Sequence, residues 1–276
     1  MDDKTNMDQA FSDPEGNNAG NQDPAKGPAR AATLLQPGFS NSQLKMIAII
    51  AMFIDHLAWA FVPTASLQGQ IMHAIGRLTF PIMAFFIAEG FYKTSNLKKY
   101  FLRLLSFALI THFPFQYFYY GRIPLFSQQT GDTLVTFATT SIMYTLLLGL
   151  TVLIIWKKTA MNDGVKLILT VLLLFLAIPG DYAYFGVLLV MAFGFNYPNR
   201  PSQLLFGALV ISVLALPMIF SGSGTSLFMA ATYLPLYLIQ RYNGELGKAR
   251  QYKWFFYWFY PVHLVLIALA KVVILK

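Results

Sequence analysis

The 276-residue chain contains no cysteine, and only 12% of its residues are charged. The absence of cysteine excludes disulfides, thiolate nucleophiles and thiolate metal ligands. A soluble domain uses roughly 25% charged residues to cover its surface, and this chain falls far short of that. It also lacks a phosphate-binding loop, a dinucleotide fingerprint and a His-Glu-x-x-His motif, which are common signals of soluble enzymes. The shortage of charge predicts a protein whose surface largely faces lipid.

Apolar and aromatic residues make up most of the sequence instead. Hydrophobic residues account for 56% of it, with 25 Phe and 15 Tyr, and the mean hydropathy is +0.53. The net charge of +8 is unevenly spread: residues 1–40 carry six acidic and three basic side chains, and the remainder carries 17 basic against six acidic. Those basic residues lie mostly in short loops between apolar runs. This distribution is typical of membrane topology and argues against nucleic-acid binding.

Residues 1–40 form a separate region by composition. They are rich in Asp, Asn, Gly, Pro and Gln and contain no apolar run, which predicts a disordered tail. They also lack a basic start followed by an apolar core, so they do not resemble a cleavable signal peptide. We therefore expect a disordered cytoplasmic tail followed by one membrane domain, residues 41–276.

The membrane domain is predicted to be an all-α, multi-pass bundle of transmembrane helices in the cell membrane. A span needs about 20 mostly apolar residues, and nine segments qualify: roughly 44–63, 70–92, 97–119, 134–156, 165–179, 182–196, 203–220, 225–240 and 253–274. The fifth and sixth segments are short. Residues 179–181 (Pro-Gly-Asp) between them form either a tight turn or a re-entrant bend, so eight spans is the alternative.

The basic residues predict the orientation of the bundle. They follow the second, fourth, sixth and eighth segments: Lys93, Lys98, Lys99, Lys157, Lys158, Lys166, Arg200, Arg241, Lys248, Arg250 and Lys253. Loops enriched in Lys and Arg face the cytoplasm, which places the N-terminus inside and the C-terminus outside. The opposite loops hold only Arg122, with Asp132 and Asp181. Lys271 and Lys276 lie at the outer end, against the trend.

Several ionisable residues fall inside the predicted spans, where they are costly and tend to mark functional sites. Counting a rise of about 1.5 Å per residue from the cytoplasmic end of each span, we expect five of them in one central layer. These five lie roughly 15–22 Å deep by that count: Asp55, His56, Arg77, His112 and His263. Glu89 and Arg103 fall in a shallower layer, roughly 5–9 Å from the cytoplasmic edge.

Each of these residues also has a purely structural interpretation. Asp55 pairs with Arg77 if it only neutralises a buried charge. His56 is either a proton carrier or a hydrogen-bonding group between helices. Because Asp55 and His56 are adjacent on a helix, they point about 100° apart, so Asp55 does not orient His56 directly.

The shallower residues have structural interpretations as well. Glu89 pairs with Lys93 one turn further on. Arg103 extends to the membrane surface. His73, near the outer end of the second span, is expected to meet water.

Four sequence blocks resemble a known family. The first is LKMIA at residues 44–48, followed by Met52 and the adjacent Asp55 and His56, and the second is IGRLTFP at residues 75–81. The third begins with EGF at residues 89–91 and continues through Thr94, Lys99, Tyr100, Arg103, Leu104, Pro114 and Phe115. The last is FYWFYPVHL at residues 256–264. Together these blocks resemble the TraX family over about residues 44–265.

The resemblance implies an activity. TraX proteins of conjugative plasmids acetylate the N-terminus of pilin, and the family is similar to integral-membrane acyltransferases that use acyl-CoA from the cytoplasm. It implies acetyl-CoA or another acyl-CoA as donor. The acceptor would be pilin, a cell-wall polymer, a lipid or a secreted peptide.

The same resemblance suggests roles for individual residues. His56 would be the general base, and His263 a second acid/base group. Arg77 would stabilise the oxyanion or hold the polar end of a substrate, and Asp55 would fix Arg77. The phosphates of the donor would lie near three cytoplasmic bases: Lys98, Lys99 and Arg103.

Two other classes of function stay open at this point. A transporter could use the buried His, Asp and Arg as a proton or ion relay, although no internal repeat is evident. A non-catalytic assembly protein could bind pilin or another membrane partner.

Overall fold

The structure is a computed structural model that describes residues 38–123, 138–221, 226–249 and 251–274. Residues 1–37 of the predicted disordered tail lie outside the described residues, as do Asp132, Arg250 and Lys276. The described part of the chain is helical, with isolated β-bridges and no β-strand. The predicted all-α class is therefore confirmed for these residues.

The helices follow the predicted segments closely. They are α1 (Asn41–Phe61), α2 (Leu67–Gly76), α3 (Thr79–Lys93), α4 (Leu97–Tyr120), α5 (Ile142–Lys158), α6 (Asp163–Leu176), α7 (Ala183–Phe195), α8 (Arg200–Ile219), the 3-10 helix η1 (Leu227–Tyr233), α9 (Leu234–Gln240) and α10 (Lys253–Ile274). Each predicted segment overlaps at least one of them. The fourth segment was predicted from residue 134; residues 134–137 lie outside the described residues, and α5 begins at Ile142.

Side-chain caps mark where several helices begin. Ser40 caps α1 in a capping box with Gln43: the Ser40 side chain accepts from the Gln43 amide, and the Gln43 side chain accepts from the Ser40 amide. Asn96 and Asn199 accept from backbone amides in the first turns of α4 and α8. Such caps satisfy amide groups that have no partner within the helix.

The second predicted segment is a broken helix. Helix α2 ends at Gly76, followed by Arg77, whose Nε donates to the His73 carbonyl at that end, and Leu78 precedes α3 without a side-chain cap. Thr79, the first residue of α3, donates from its hydroxyl to the carbonyl oxygen of Ala48 in α1 at 2.8 Å. The break therefore lies against α1, at the level of Asp55, whose side chain is in contact with Gly76.

Within the described ranges, four helical segments are long and apolar enough to cross a membrane: Asn41–Phe61, Leu67–Lys93, Arg200–Ile219 and Lys253–Ile274. Other helices also present apolar surface outward. On α6, Ile168 is 69% exposed and Phe175 is 66% exposed, a pattern that suits lipid rather than water. The chain is therefore a membrane protein. The number of nine spans and the cytoplasmic N-terminus stay predictions.

Helix α3 lies at the centre of the bundle. Its side chains at Ile82, Phe85 and Ala88 are almost fully buried, and α3 contacts α1, α5 and α7. Helices α4 and α10 contact one another as well. This arrangement places the ionisable residues of α1 beside the α2–α3 break and beside α10.

The Pro-Gly-Asp sequence between α6 and α7 forms tight turns. The amides of Gly180 and Ala183 donate to Ala177 and Gly180 in two tight turns, at 2.9 and 2.8 Å. Thr140 bridges to this turn, donating to Pro179 and accepting from Asp181. Tyr182 and Ala183 have positive φ angles of 60° and 44°. That conformation is uncommon for residues other than glycine, and it persists only where the surroundings impose it.

The contact between α5 and α7 offers a test of the packing. A Cβ atom added at Gly186 would collide with the Cγ2 methyl of Thr145. We expect Gly186→Ala to lower the free energy of unfolding by about 1–3 kcal/mol, measured by thermal unfolding in detergent micelles. Thr145→Ser removes that methyl and keeps the hydroxyl that donates to Asp181. The double variant should be more stable than Gly186→Ala alone, and equal stability would contradict this packing.

Candidate functional site

Asp55 is the centre of a polar cluster between α1 and the end of α2. Its Oδ2 lies 3.2 Å from Nη2 of Arg77, and its Oδ1 lies 2.8 Å from Nδ1 of His73. Arg77 also donates from Nε to the backbone carbonyl of His73 at 3.4 Å. The predicted pairing of Asp55 with Arg77 is present, and a third member joins it.

The third member is His73, and its position differs from the prediction. We expected it near the outer end of a straight span, in contact with water, but it is fully buried. Because the span is broken after Gly76, α2 lies against α1 and brings His73 to Asp55. The ring packs between Trp59 and Phe228, with ring centroids 4.5 and 5.1 Å away. Its Nε2 is buried and has no hydrogen-bond partner within the described residues.

His56 and His263 form a second buried group. Nε2 of His263 lies 3.0 Å from Nδ1 of His56, and Nδ1 of His263 lies 2.7 Å from the carbonyl oxygen of Phe259. A carbonyl only accepts, so Nδ1 of His263 carries the hydrogen, and Nε2 is the acceptor in the neutral ring. His56 then donates from Nδ1. This assignment leaves Nε2 of His56 as the unprotonated nitrogen.

Aromatic rings surround this histidine pair and fix its orientation. Phe118 meets the His56 ring edge-on at 5.4 Å, and Phe259 stacks on His263 at 4.9 Å. Both histidines are nearly fully buried. The pair is held by α1 and α10; the sequence predicted that both residues lie in the central layer, but not that they meet. Asp55 does not bond to His56, which agrees with their expected separation around α1.

A cavity of about 130 Å³ joins the two groups. We call it the histidine cavity. Its polar walls are Asp55, His56, Arg77, Thr79, Tyr119, Asp181, Tyr182 and Tyr260. Nη1 of Arg77 makes no hydrogen bond within the described residues, and it is therefore a donor available to a ligand. The cavity thus combines an acceptor nitrogen, a guanidinium donor and two carboxylates in an apolar surround.

Asp181 and Tyr182 are site residues that we did not predict. The left-handed turn places Tyr182 over Phe80, with stacked rings 3.9 Å apart, and beside the Arg77 guanidinium at 5.6 Å. The signal was available in the sequence. Of the two forms that the Pro-Gly-Asp sequence allowed, a re-entrant bend between two short apolar segments would have placed Asp181 near the central layer.

A second cavity, of about 370 Å³, opens at the end of the bundle where α1, α4 and α10 begin. We call it the basic cavity. Four of its side chains are cationic: Lys45, Lys93, Arg103 and Lys253. Lys93 pairs with Glu89 at 2.8 Å, as the sequence predicted. This end of the bundle is the one that the positive loops assign to the cytoplasm.

Glu89 ties several segments together beside the basic cavity. It is buried, and its Oε2 accepts from the Asn41 side chain at 3.2 Å and from the Tyr242 hydroxyl at 3.1 Å. Burial, together with the Glu89 carboxylate, raises the pKa of Tyr242, so this hydroxyl stays protonated and remains a donor. Oδ1 of Asn41 is buried without a partner in the described residues.

The three predicted donor-binding bases occupy different positions. Arg103 lines the basic cavity between the rings of Tyr100 and Tyr257, and its Nε is buried without a partner in the described part of the chain. Lys98 and Lys99 are exposed and line neither cavity. All three lie on the first two turns of α4, where successive side chains point about 100° apart.

His112 was predicted to lie in the central layer, but it does not join the group around the histidine cavity. It lies on α4 at the expected depth, yet it lines neither cavity, and its ring contacts Phe113 at 5.5 Å. The buried face of α4 is formed by Thr111, Phe115 and Phe118, and His112 points to one side of it. Depth along a helix does not determine which face a residue occupies.

Comparison with known proteins gives two matches. The family model described as TraX protein matches residues 40–271. The chain is 34% identical over 239 residues to the probable fimbrial assembly protein FimC, serogroup H1, of Dichelobacter nodosus, a match that covers 84% of this chain and 96% of that relative. No solved structure matches the chain.

The Asp55 cluster predicts a large effect on stability. Asp55→Asn removes the charge that pairs with Arg77, whose side chain is 11% exposed. Breaking a fully buried pair costs about 3–5 kcal/mol, and we expect a loss near the lower end of that range. Asp163→Asn is a matched control, because Asp163 pairs with Lys166 but is 81% exposed, and exposed pairs contribute about 0–1 kcal/mol. Thermal unfolding in detergent micelles measures both. Similar losses in the two variants would argue against a structural role for the Asp55 cluster.

Proposed function

We propose that this chain, which belongs to the TraX family, is a membrane-bound acyltransferase that moves an acyl group from acyl-CoA to an acceptor on or across the membrane. The observation that supports this most is the arrangement of the two cavities. One is basic and opens at the predicted cytoplasmic end, and the other holds a histidine with an unprotonated nitrogen beside a guanidinium donor.

In the proposed reaction, His56 is the general base. A nitrogen or oxygen of the acceptor attacks the thioester carbonyl carbon, and its proton passes to Nε2 of His56. The C–S bond then breaks, the new amide or ester forms, and the CoA thiolate takes the proton from the His56 imidazolium. The hydrogen bond from Nδ1 of His56 to His263 keeps Nε2 in the acceptor form and supports the imidazolium while it exists.

Arg77 would stabilise the negative charge on the oxygen of the tetrahedral intermediate. Two of its nitrogens are already held by Asp55 and by the His73 carbonyl, so the orientation of the guanidinium is set before substrate arrives. Fixed donors in a water-poor site stabilise an oxyanion more than mobile water does. Asp55 and His73 therefore act as positioning residues, and His263 supports the base.

The basic cavity would bind the CoA part of the donor. Coenzyme A carries several phosphate groups, and Arg and Lys side chains bind phosphate through charge-assisted hydrogen bonds. Arg103 has a buried nitrogen without a partner in the described residues, which a phosphate oxygen can satisfy. The exposed Lys98 and Lys99 would attract the anionic donor from solution without touching it.

The acceptor would be a surface polypeptide. The relative from Dichelobacter nodosus carries the description of a fimbrial assembly protein, which favours a pilus or fimbrial subunit over a cell-wall polymer or another secreted peptide. The description also suits a non-catalytic assembly protein, and transport is the third possibility. Nine spans with a cytoplasmic N-terminus would place the donor inside the cell and the acceptor outside.

The role of His56 is tested by substitution with a matched histidine control. We expect His56→Ala to lower the rate of acyl transfer at least about 100-fold, because proton transfer of this kind contributes about 10²–10⁴ in rate. His112→Ala should retain the wild-type rate, since His112 lines neither cavity. The assay follows label from radiolabelled acetyl-CoA into membrane extract, using purified protein in proteoliposomes.

Each outcome of this assay points to one class of function. Transfer by wild-type protein that is lost only in His56→Ala supports the proposed reaction. Equal activity in both variants removes His56 as the base. Solute flux without label transfer favours a transporter, and binding of a fimbrial subunit without either activity favours an assembly protein.

Binding of the CoA part is tested separately, by titration of CoA into the purified protein. Arg103→Ala removes a charged partner of phosphate and should weaken CoA binding by about tenfold or more, since such hydrogen bonds contribute about 1.5–3 kcal/mol. Lys98→Ala is the control, because it removes the same charge from an exposed position on the same helix. A larger loss in Lys98→Ala would place the phosphates outside the basic cavity.

A further inference from the structure

The basic cavity and the histidine cavity share one wall. Four residues line both of them, from α3, α5 and α10: Met83, Met143, Leu146 and Phe256. We call this group the apolar constriction. None of its side chains carries a charge or a hydrogen-bonding group stronger than a thioether.

Two of the four side chains in the constriction are more accessible than the core. Leu146 and Met143 are buried at 0% and 5% exposure, whereas Met83 and Phe256 are only partly buried because they face the open cavities. Methionine is flexible and fills irregular gaps. The constriction can therefore admit a narrow apolar group by small side-chain movements, without moving a helix.

The two ends of an acyl-CoA suit the two sides of this constriction. Its phosphates are charged and belong in the basic cavity, because transfer of a charge into an apolar passage is very costly. Its acyl thioester is slender and largely apolar, and it must reach Nε2 of His56. The constriction lies between the two cavities, so a donor bound in the basic cavity reaches His56 by extending through it.

The size of the histidine cavity then limits the acyl group. It measures about 130 Å³, and an engineered cavity of about 150 Å³ in another protein holds benzene, a ring of six carbon atoms. A short acyl thioester fits such a space. A long acyl chain exceeds this volume and would have to displace side chains that line the cavity, among them Tyr119, Phe80 and Met52.

We propose that the apolar constriction is the passage through which the donor thioester reaches His56, and that the histidine cavity restricts transfer to acyl groups of about two to four carbon atoms. This inference rests on the proposed acyltransferase function. It assigns the choice of donor to residues of the constriction and of the histidine cavity wall. These residues differ from the groups proposed to transfer the proton and to bind the phosphates.

The first experiment compares acetyl-, butyryl-, hexanoyl- and octanoyl-CoA as donors for the wild-type protein in proteoliposomes. We expect the rate to fall at least about tenfold between butyryl- and hexanoyl-CoA, since a single methylene group in a closed pocket changes specificity by about 10–200-fold. Met52→Ala enlarges the histidine cavity away from the constriction. It should raise the ratio of hexanoyl to acetyl transfer by about tenfold or more.

The second experiment closes the constriction. Met83→Trp should lower transfer from every donor by about 100-fold, because the thioester can no longer reach His56 at bonding distance. Met83 also lines the basic cavity, so the affinity for CoA should fall, but by much less than the transfer rate, and retained CoA binding also verifies that the variant is folded. Met218→Trp is the matched control, since Met218 lies on α8, is 42% exposed and lines neither cavity.

The outcomes separate this inference from the function on which it rests. Wild-type protein that transfers octanoyl as fast as acetyl overturns the length limit, and a fully active Met83→Trp variant overturns the passage. Either result leaves the acyltransferase function intact. Wild-type protein that binds CoA but transfers none of the donors overturns the proposed function, and this inference with it.

Discussion

The arrangement of the site depends on one buried carboxylate. Asp55 on α1 holds both Arg77 and His73, which lie on either side of the last turn of α2. A buried guanidinium needs a partner of opposite charge, and a helix that ends inside the bundle needs partners for its terminal carbonyls. The Asp55 cluster meets both needs at one point. It fixes the direction of α2, the start of α3 and the guanidinium that faces the histidine cavity.

Much of this structure could be predicted from the sequence, because lipid imposes simple rules. Apolar runs predicted the helices, and depth along each run predicted that Asp55, Arg77, His56 and His263 share one layer. The need to pair a buried charge suggested the contact of Asp55 with Arg77, but nothing in the sequence predicted that His56 meets His263. The same rules failed where a residue's position depends on more than depth. His73 was misplaced because the break after Gly76 changes the direction of α2. His112 was misplaced because its depth does not reveal its face.

The rest of the site depends on contacts between segments far apart in the chain. The basic cavity draws Lys45 from α1, Arg103 from α4 and Lys253 from α10, and no local pattern groups these residues. The four TraX-like blocks carry several members of both cavities, so the resemblance pointed to the right helices. It could not separate Arg103 from Lys99, which lies one turn earlier on the same face of α4, since only the tertiary packing shows that the cavity reaches Arg103 and not Lys99.

The break between α2 and α3 has an electrostatic consequence of its own. A continuous helix would have its two ends at the membrane surfaces, whereas this span has two further ends inside the bundle. The end of α2 carries a partial negative charge and the start of α3 a partial positive one, each roughly half an elementary charge. Arg77 offsets the negative charge at the end of α2. Thr79 and Phe80, at the positive start of α3, line the histidine cavity. An anion in that cavity is therefore stabilised by the backbone dipole of α3 as well as by the guanidinium. Part of its stabilisation comes from the backbone rather than from a side chain.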